Sequence, residues 1–296
     1  MKNDRRIRWN KVEPKNLNLK GLKVIVVGGT GGIGRAISRF MASLGAQVVV
    51  VGQTFRDIDT PEIRFIKADL SLMSEAKRVA PQLGAESANL VIFTTGIFAA
   101  PEREQTSEGI ERDLAVSYLS RLVIIQQIAA HLGKKLPSAA LKPRIFIMGY
   151  PGAGQTGNPD DLNAEKSYKP MAAHLNTVAG NEMLVHYFAK RYKDINFYGL
   201  NPSLLPTNIR SNYMGANSFK FRAAEWLIRL ISISTETYAE RLTPLLLSPD
   251  IENYSGSLFD QKGNAIHSSP GFTGSHIDKF MTASEELVTR ALPKLN

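Results

Sequence analysis

The sequence contains no cysteine at all. That excludes a disulfide framework, a thiolate metal site and a cysteine nucleophile, and it fits a reducing compartment, so a cytoplasmic location is expected. Long apolar runs are missing too. Nothing approaches the roughly 18 consecutive apolar residues that span a bilayer, and positions 1–20 carry charges throughout without the apolar stretch of a signal peptide, so no membrane span is expected. His131, His174, His186, His267 and His276 have no metal-ligand spacing with acids, and no serine sits in a nucleophile elbow, so no metal is expected. The basic residues are not interleaved with aromatics, which argues against a nucleic-acid partner.

What is present is ordinary for a globular protein: 296 residues, 43% hydrophobic and 21% charged. One domain over 21–296 is expected, preceded by a basic extension over 1–20. The net charge of +9 is lopsided. Lys2, Arg5, Arg6, Arg8, Lys11, Lys15, Lys20 and Lys23 face only Asp4 and Glu13, so most of the excess lies in a short arm, read as solvated or loosely docked, with an anionic partner or membrane surface as the alternative.

Short β-branched runs alternate with longer amphipathic stretches, the pattern of βαβ units. The expected fold is α/β, a Rossmann-like doubly wound parallel sheet with helices on both faces. Strands are expected at 22–27, 48–51, 64–66, 90–94, 144–148, 196–200 and near 257–259, with helices at about 32–44, 74–82, 108–133, 170–191 and 235–247. Loops at 151–161 and 201–218 are rich in Gly and Pro and follow strands, where the ligand crevice of such sheets lies, so they are placed to cover a substrate. Phe219, Ala223, Trp226, Leu227 and Leu230 form a stripe at helical spacing that suits core packing or a lid equally.

Gly28-Gly29-Thr30-Gly31-Gly32-Ile33-Gly34 follows the first strand and opens the first helix. Glycine permits the tight turn and close backbone approach, and amides at the helix start favour a pyrophosphate. In NAD-selective sites an acid about 20 residues on binds the ribose hydroxyls. Here the second strand ends in Val51-Gly52-Gln53-Thr54 with no carboxylate, while Arg35 and Arg56 are available for a 2′-phosphate. NADP is therefore expected over NAD.

The chain resembles the short-chain dehydrogenase/reductase superfamily over roughly 21–270. The glycine turn matches that family's TGxxxGIG loop with Val27 in the threonine place; Asp69-Leu70 matches its adenine-contacting pair; Thr94-Thr95-Gly96 sits where the family has NAG. Pro202-Ser203-Leu204-Leu205-Pro206-Thr207 looks like the PGxxxT segment, which would bring Pro202, Leu205 and Thr207 to the cofactor. The resemblance implies a small-molecule substrate and a homodimer or homotetramer built through the helices near 108–133 and 170–191.

Family members use a tyrosine as proton donor, a lysine four residues later, a serine and an asparagine, yet none of this chain's nine tyrosines has a lysine four residues on. By the family pattern Ser117 stands in the asparagine place, Tyr150 at or beside the serine, His174 in the tyrosine place and Val178 in the lysine place. Tyr150 or His174 would have to supply the acid, or each is a structural residue. The expected function is an NADP-dependent carbonyl or alcohol oxidoreductase acting on a hydrophobic small molecule with a rebuilt proton donor. The alternatives are a non-redox cyclase, isomerase or dehydratase on the same fold, or a pseudoenzyme whose nucleotide is structural or sensory.

Overall fold

A computed structural model describes residues 2–138, 140–202 and 233–292. Eight strands form one sheet in the order β3-β2-β1-β4-β5-β6-β7-β8. They are β1 Lys23–Val27, β2 Gln47–Gly52, β3 Ile63–Lys67, β4 Leu90–Phe93, β5 Arg144–Met148, β6 Asn196–Leu200, β7 Leu258–Phe259 and β8 Ala265–Ile266. All neighbours pair parallel except β7 and β8, which pair antiparallel. The strand order reverses between β1 and β4, which opens a crevice at their carboxyl ends.

Alternation along β1 shows why both faces are covered. Ile25 and Val27 enter one core with helices α2 (Met73–Val79), α4 (Ser120–Ile128), α5 (Pro170–Arg191) and α7 (Gly274–Ala291). Val24 and Val26 enter the opposite core, under α1 (Gly32–Ser43) and α6 (Thr235–Leu247). A strand buried on both sides has no polar face to expose, hence its continuous apolar run.

Three expectations need correction. The single helix expected over 108–133 is a short α3 (Arg112–Leu114), a π-helical turn (Ala115–Leu119) and then α4. Helix α7 and the two-residue β8 were not anticipated; β8 is too short to carry a period, whereas Ile277, Phe280, Met281, Ser284, Leu287 and Val288 of α7 do follow helical spacing. Finally, the basic arm is not loose. Asp4 donates its amide to the Ala265 carbonyl (2.8 Å), the His267 amide donates to Lys2 (3.0 Å) and the Trp9 indole donates to Gly263 (2.7 Å), so the arm borders β8 as a strap. No helix among the described residues is long and apolar enough to cross a membrane. The stripe at 219–230 and most of the 201–218 loop lie outside the described residues.

Candidate active site

A cleft of about 620 Å³ lies at the strand-order reversal. The turn after β1 supplies Gly28, Thr30, Gly31, Gly32, Ile33 and Gly34; the end of β2 supplies Gln53, Thr54 and Arg56; the ends of β3 and β4 supply Asp69 and Leu70, then Thr94, Thr95 and Gly96. Pro202 follows β6 but does not line this cleft, and Leu205 and Thr207 lie outside the described residues.

The glycines differ in what they do. Gly28 has φ +93°, and a Cβ there would sit 2.5 Å from the Thr95 amide nitrogen. At Gly34 a Cβ would overlap the Gly28 carbonyl oxygen, so helix and turn touch only because Gly34 lacks a side chain. Gly31 is open instead: its nearest neighbour would be an Arg56 guanidinium nitrogen at 3.8 Å. Gly31 also caps α1 with no side-chain hydrogen bond, and the first turn holds no acid. The leading amides of a helix have no intrahelical acceptor, so this end is left for an anion. The enclosed Thr95 hydroxyl in the cleft wall has no partner among the described residues, a second polar group awaiting one. These features fit a dinucleotide.

One expected phosphate ligand is otherwise engaged. Arg35 donates to the Asp57 carboxylate through Nε (3.0 Å) and Nη2 (2.7 Å), and Arg39 joins at 2.8 Å. Asp57 is buried, and the Arg35 hydrogen bond holds its carboxyl below the usual range against the opposing effect of burial. Arg35 is thus corrected from a cleft residue to the partner of a buried acid. Arg56 remains over the turn, donating to the Thr30 carbonyl at 2.8 Å with its side chain exposed. At Asp69, burial would raise the carboxyl, but hydrogen bonds from Ser71 and Gln53 carry it below the ordinary value.

Ile97 and Val116 line the cleft, and the Ile97 amide connects it to a neighbouring polar cluster whose members Asp113, Ser117 and His174 do not themselves line it. Asp113 is fully buried. Its Oδ2 lies 2.7 Å from His174 Nδ1 and its Oδ1 accepts from the Ser117 hydroxyl at 2.5 Å. Ser117 in turn accepts from the Ile97 amide at 3.0 Å. The neighbouring Phe98 ring stacks on the His174 imidazole with centroids 3.9 Å apart. An ionised carboxylate can only accept, so Asp113 places the proton on Nδ1 and leaves Nε2 as the working nitrogen. His174 Nε2 has no partner among the described residues, and the side chain keeps 15% of its surface exposed.

One helical turn beyond Ser117, the Arg121 guanidinium is buried. It donates to the Met148 carbonyl (2.5 Å), to Asn181 Oδ1 (2.9 Å) and to the Thr95 carbonyl. Burial lowers it to about 9. It ties the ends of β4 and β5 to α5 directly behind the cleft wall. Glu111 caps α3, accepting from the Asp113 and Leu114 amides, and burial pushes its carboxyl up to about 7.

The structure therefore brings Ser117 and His174 together on an acid that sequence reasoning missed. Tyr150 stands apart. It is exposed, and its hydroxyl has no hydrogen bond among the described residues. Other tyrosines are committed: Tyr118 to Ser284 at 2.8 Å, Tyr168 to the Ala100 carbonyl at 2.5 Å, with burial pushing the Tyr168 hydroxyl up to about 12. Asp113, Ser117 and Arg121 recur every four residues, a polar stripe in an apolar helix that was visible in the sequence. The 151–161 loop is tethered rather than free, since Glu182 accepts from the Gly152 amide and Asn176 from the Asn158 amide.

Comparison with known proteins agrees with this construction. Residues 22–137 match the sequence profile of the family described as short chain dehydrogenase. An uncharacterized oxidoreductase of Saccharomyces cerevisiae is 48% identical over 295 residues, covering 98% of this chain and 96% of the yeast protein. Among solved structures, an uncharacterized protein from Mycobacterium paratuberculosis superposes with a TM-score of 0.66 at 18% identity, covering 95% of this chain and 98% of its own. The Pseudomonas aeruginosa RhlG/NADP active-site complex does so with 0.60 at 22% identity, covering 83% and 96%. The identity to the yeast protein across nearly the whole of both chains, with the profile match over the cofactor half, makes this chain a member of the short-chain dehydrogenase family, oxidoreductases that bind a nicotinamide cofactor.

Proposed function

We propose that the protein is an NADP(H)-dependent reductase or dehydrogenase for a hydrophobic carbonyl or alcohol, with His174 in place of the usual tyrosine as proton donor and acceptor. The observation that carries this reading is the Asp113–His174 pair, a buried carboxylate 2.7 Å from Nδ1 with Nε2 left without a partner among the described residues.

The amides from Gly31 to Gly34 would hold the pyrophosphate at the start of α1, and Asp69 and Leu70 would border the adenine. Thr54 and Arg56 would take the 2′-phosphate. Arg35 serves instead by neutralising the buried Asp57. The cofactor supplies hydride transfer to or from the substrate carbon. Reduction leaves an alkoxide that must gain a proton, and oxidation requires an alcohol to lose one. His174 Nε2 would perform both, because an imidazole anchored at Nδ1 by a carboxylate can give or take a proton at its other nitrogen. Ser117 keeps the Asp113 carboxylate and the Ile97 amide in register. Arg121 supplies a buried positive charge behind Thr95 that favours anionic character on the reacting oxygen. Tyr150 is kept as the other donor on which the assignment is tested. A homodimer or homotetramer in the cytoplasm completes the reading, with light scattering on the purified chain as its check.

Fluorescence titration with NADPH and NADH tests the cofactor. Saturable quenching with tighter NADPH binding is expected, and Arg56→Ala should narrow the preference about tenfold. Absence of saturation by either nucleotide overturns the reading. NADPH consumption across a panel of hydrophobic ketones and aldehydes tests the reaction; substrate conversion without nicotinamide oxidation would replace it with a non-redox isomerase or dehydratase.

A further inference from the structure

The amino-terminal strap contributes nothing to the cleft, yet its charge is ordered by its packing. Ile7, Trp9 and Leu17 turn inward onto the core, while Arg5, Arg6, Arg8, Lys11 and Lys15 remain exposed. Trp9 is fixed by its indole hydrogen bond to Gly263, so the bases that flank it are held in place rather than trailing on a tail.

The strap also forms one wall of a second cleft, of about 420 Å³. Its floor and rim are apolar, from Trp9, Val12, Pro14 and Pro244, and three cations stand around it: Lys11, Arg241 of α6 and Lys262 of the β7–β8 turn. Val12 is 47% exposed. Lys11 has only neutral partners, the Lys262 carbonyl at 3.3 Å and the Trp9 ring at 5.9 Å. Neither Arg8, Arg241 nor Lys262 makes an ion pair among the described residues. The nearby Asp250 carboxylate accepts the Asn10 amide, and Glu13 is the one acid within this part of the strap.

We propose that this face docks on an anionic phospholipid membrane. Unpaired cations around an exposed apolar floor match a layer of phosphate headgroups over hydrocarbon, with Val12 and Pro14 meeting the interface and Arg8, Lys11, Arg241 and Lys262 meeting lipid phosphates. A polynucleotide would need aromatic platforms for its bases. The single aromatic here, Trp9, is partly buried and committed to Gly263. Because the strap is already pinned, little chain ordering opposes docking. Such an enzyme would meet membrane-dissolved carbonyl compounds where they are concentrated.

The full chain should sediment with vesicles of mixed phosphatidylcholine and phosphatidylserine, should not sediment with phosphatidylcholine alone, and should be released by salt. Each cation at such a surface is worth about a fivefold change in partitioning, so the fourfold variant Arg8→Gln, Lys11→Gln, Arg241→Gln, Lys262→Gln should weaken vesicle binding by more than about a hundredfold. A control with the same charge loss elsewhere, Lys77→Gln, Lys134→Gln, Lys169→Gln, Lys190→Gln, should weaken it by less than about tenfold. Circular dichroism of both variants reports folding; if the fourfold variant unfolds, the Lys11→Gln, Lys262→Gln pair carries the test with about a 25-fold effect. No sedimentation of the unmodified chain at low salt, an equal loss in the control, or tighter binding of an RNA oligonucleotide through the same four residues overturns the proposal. None of these readouts uses a cofactor, so the outcome is independent of the oxidoreductase reading.

Discussion

At the Gly28–Gly34 turn polar backbone is left open, whereas little more than two helical turns of chain from Asp113 to Arg121 pair most of their polar side-chain groups. The first region is shaped by absence: Gly31 presents no side chain, α1 begins without a side-chain cap, and the Thr95 hydroxyl has no partner among the described residues. The second is shaped by pairing: Asp113, Ser117, His174, Arg121 and Asn181 are joined by hydrogen bonds, and among the described residues His174 Nε2 and the buried Arg121 Nε are left without a partner. A turn that waits for a ligand tolerates variation in the ligand's details. A closed network fixes one nitrogen in one orientation, and that is what proton transfer demands.

The contrast can be broken most sharply at His174. His174→Ala should lower kcat by about 10²–10⁴-fold while leaving the NADPH Kd within about twofold, because the imidazole acts on the substrate and not on the nucleotide. Tyr150→Phe should leave the same rate within about twofold; the reverse pattern transfers the donor role to the phenol. Next in size is Arg121→Met, which strips a donor from three buried acceptors at Thr95, Met148 and Asn181. Urea unfolding should show a loss of about 3 kcal/mol. An unchanged midpoint would mean that the guanidinium is tolerated at its site without holding it.

Gly31→Asp probes the open end. Since a Cβ there meets only Arg56, folding should survive, but a carboxylate at the start of α1 should weaken NADPH binding by about 30-fold. A variant that unfolds instead would show the turn to be as closed as the Asp113 network. The smallest effect belongs to Glu111. Burial raises its folded value from 4.5 to about 7, so the folded state holds a proton there that the unfolded chain has released. Its contribution to stability is therefore greatest at low pH and is lost as pH rises from about 4.5 through about 7. Urea midpoints for Glu111→Gln should vary less between pH 5 and pH 8 than those of the parent chain; equal slopes would remove this role.

The open half was legible in the sequence because its constraints are steric and local. Gly28 and Gly34 must lack a Cβ whatever surrounds them, and seven consecutive residues carry the signal. Asp69, Thr94 and Thr95 were placed by the strands just before them. The paired half was not legible, because its decisive contacts join distant segments. Asp113 meets His174 across 61 positions and Arg121 meets Asn181 across 60, and nothing local in either segment announces its partner. Arg35 misled for a related reason: an arginine near a phosphate turn and an arginine serving a buried aspartate 22 residues away read alike. The stripe of Asp113, Ser117 and Arg121 was the available clue, and it was hidden by lying inside a run that otherwise reads as core.

The π-helical turn over Ala115–Leu119 gives that stripe its alignment. In an unbroken α-helix, residues four apart drift by about 40° at each step, so Asp113 and Arg121 would diverge by about 80°. The wider turn winds that drift back, and all three side chains can serve one crevice wall. Deleting one of those five residues would let the segment close into a regular α-helix with the acid and the guanidinium seven positions apart, within about 20° of each other, so that pair would stay aligned and Ser117, between them, would be the member whose direction changes.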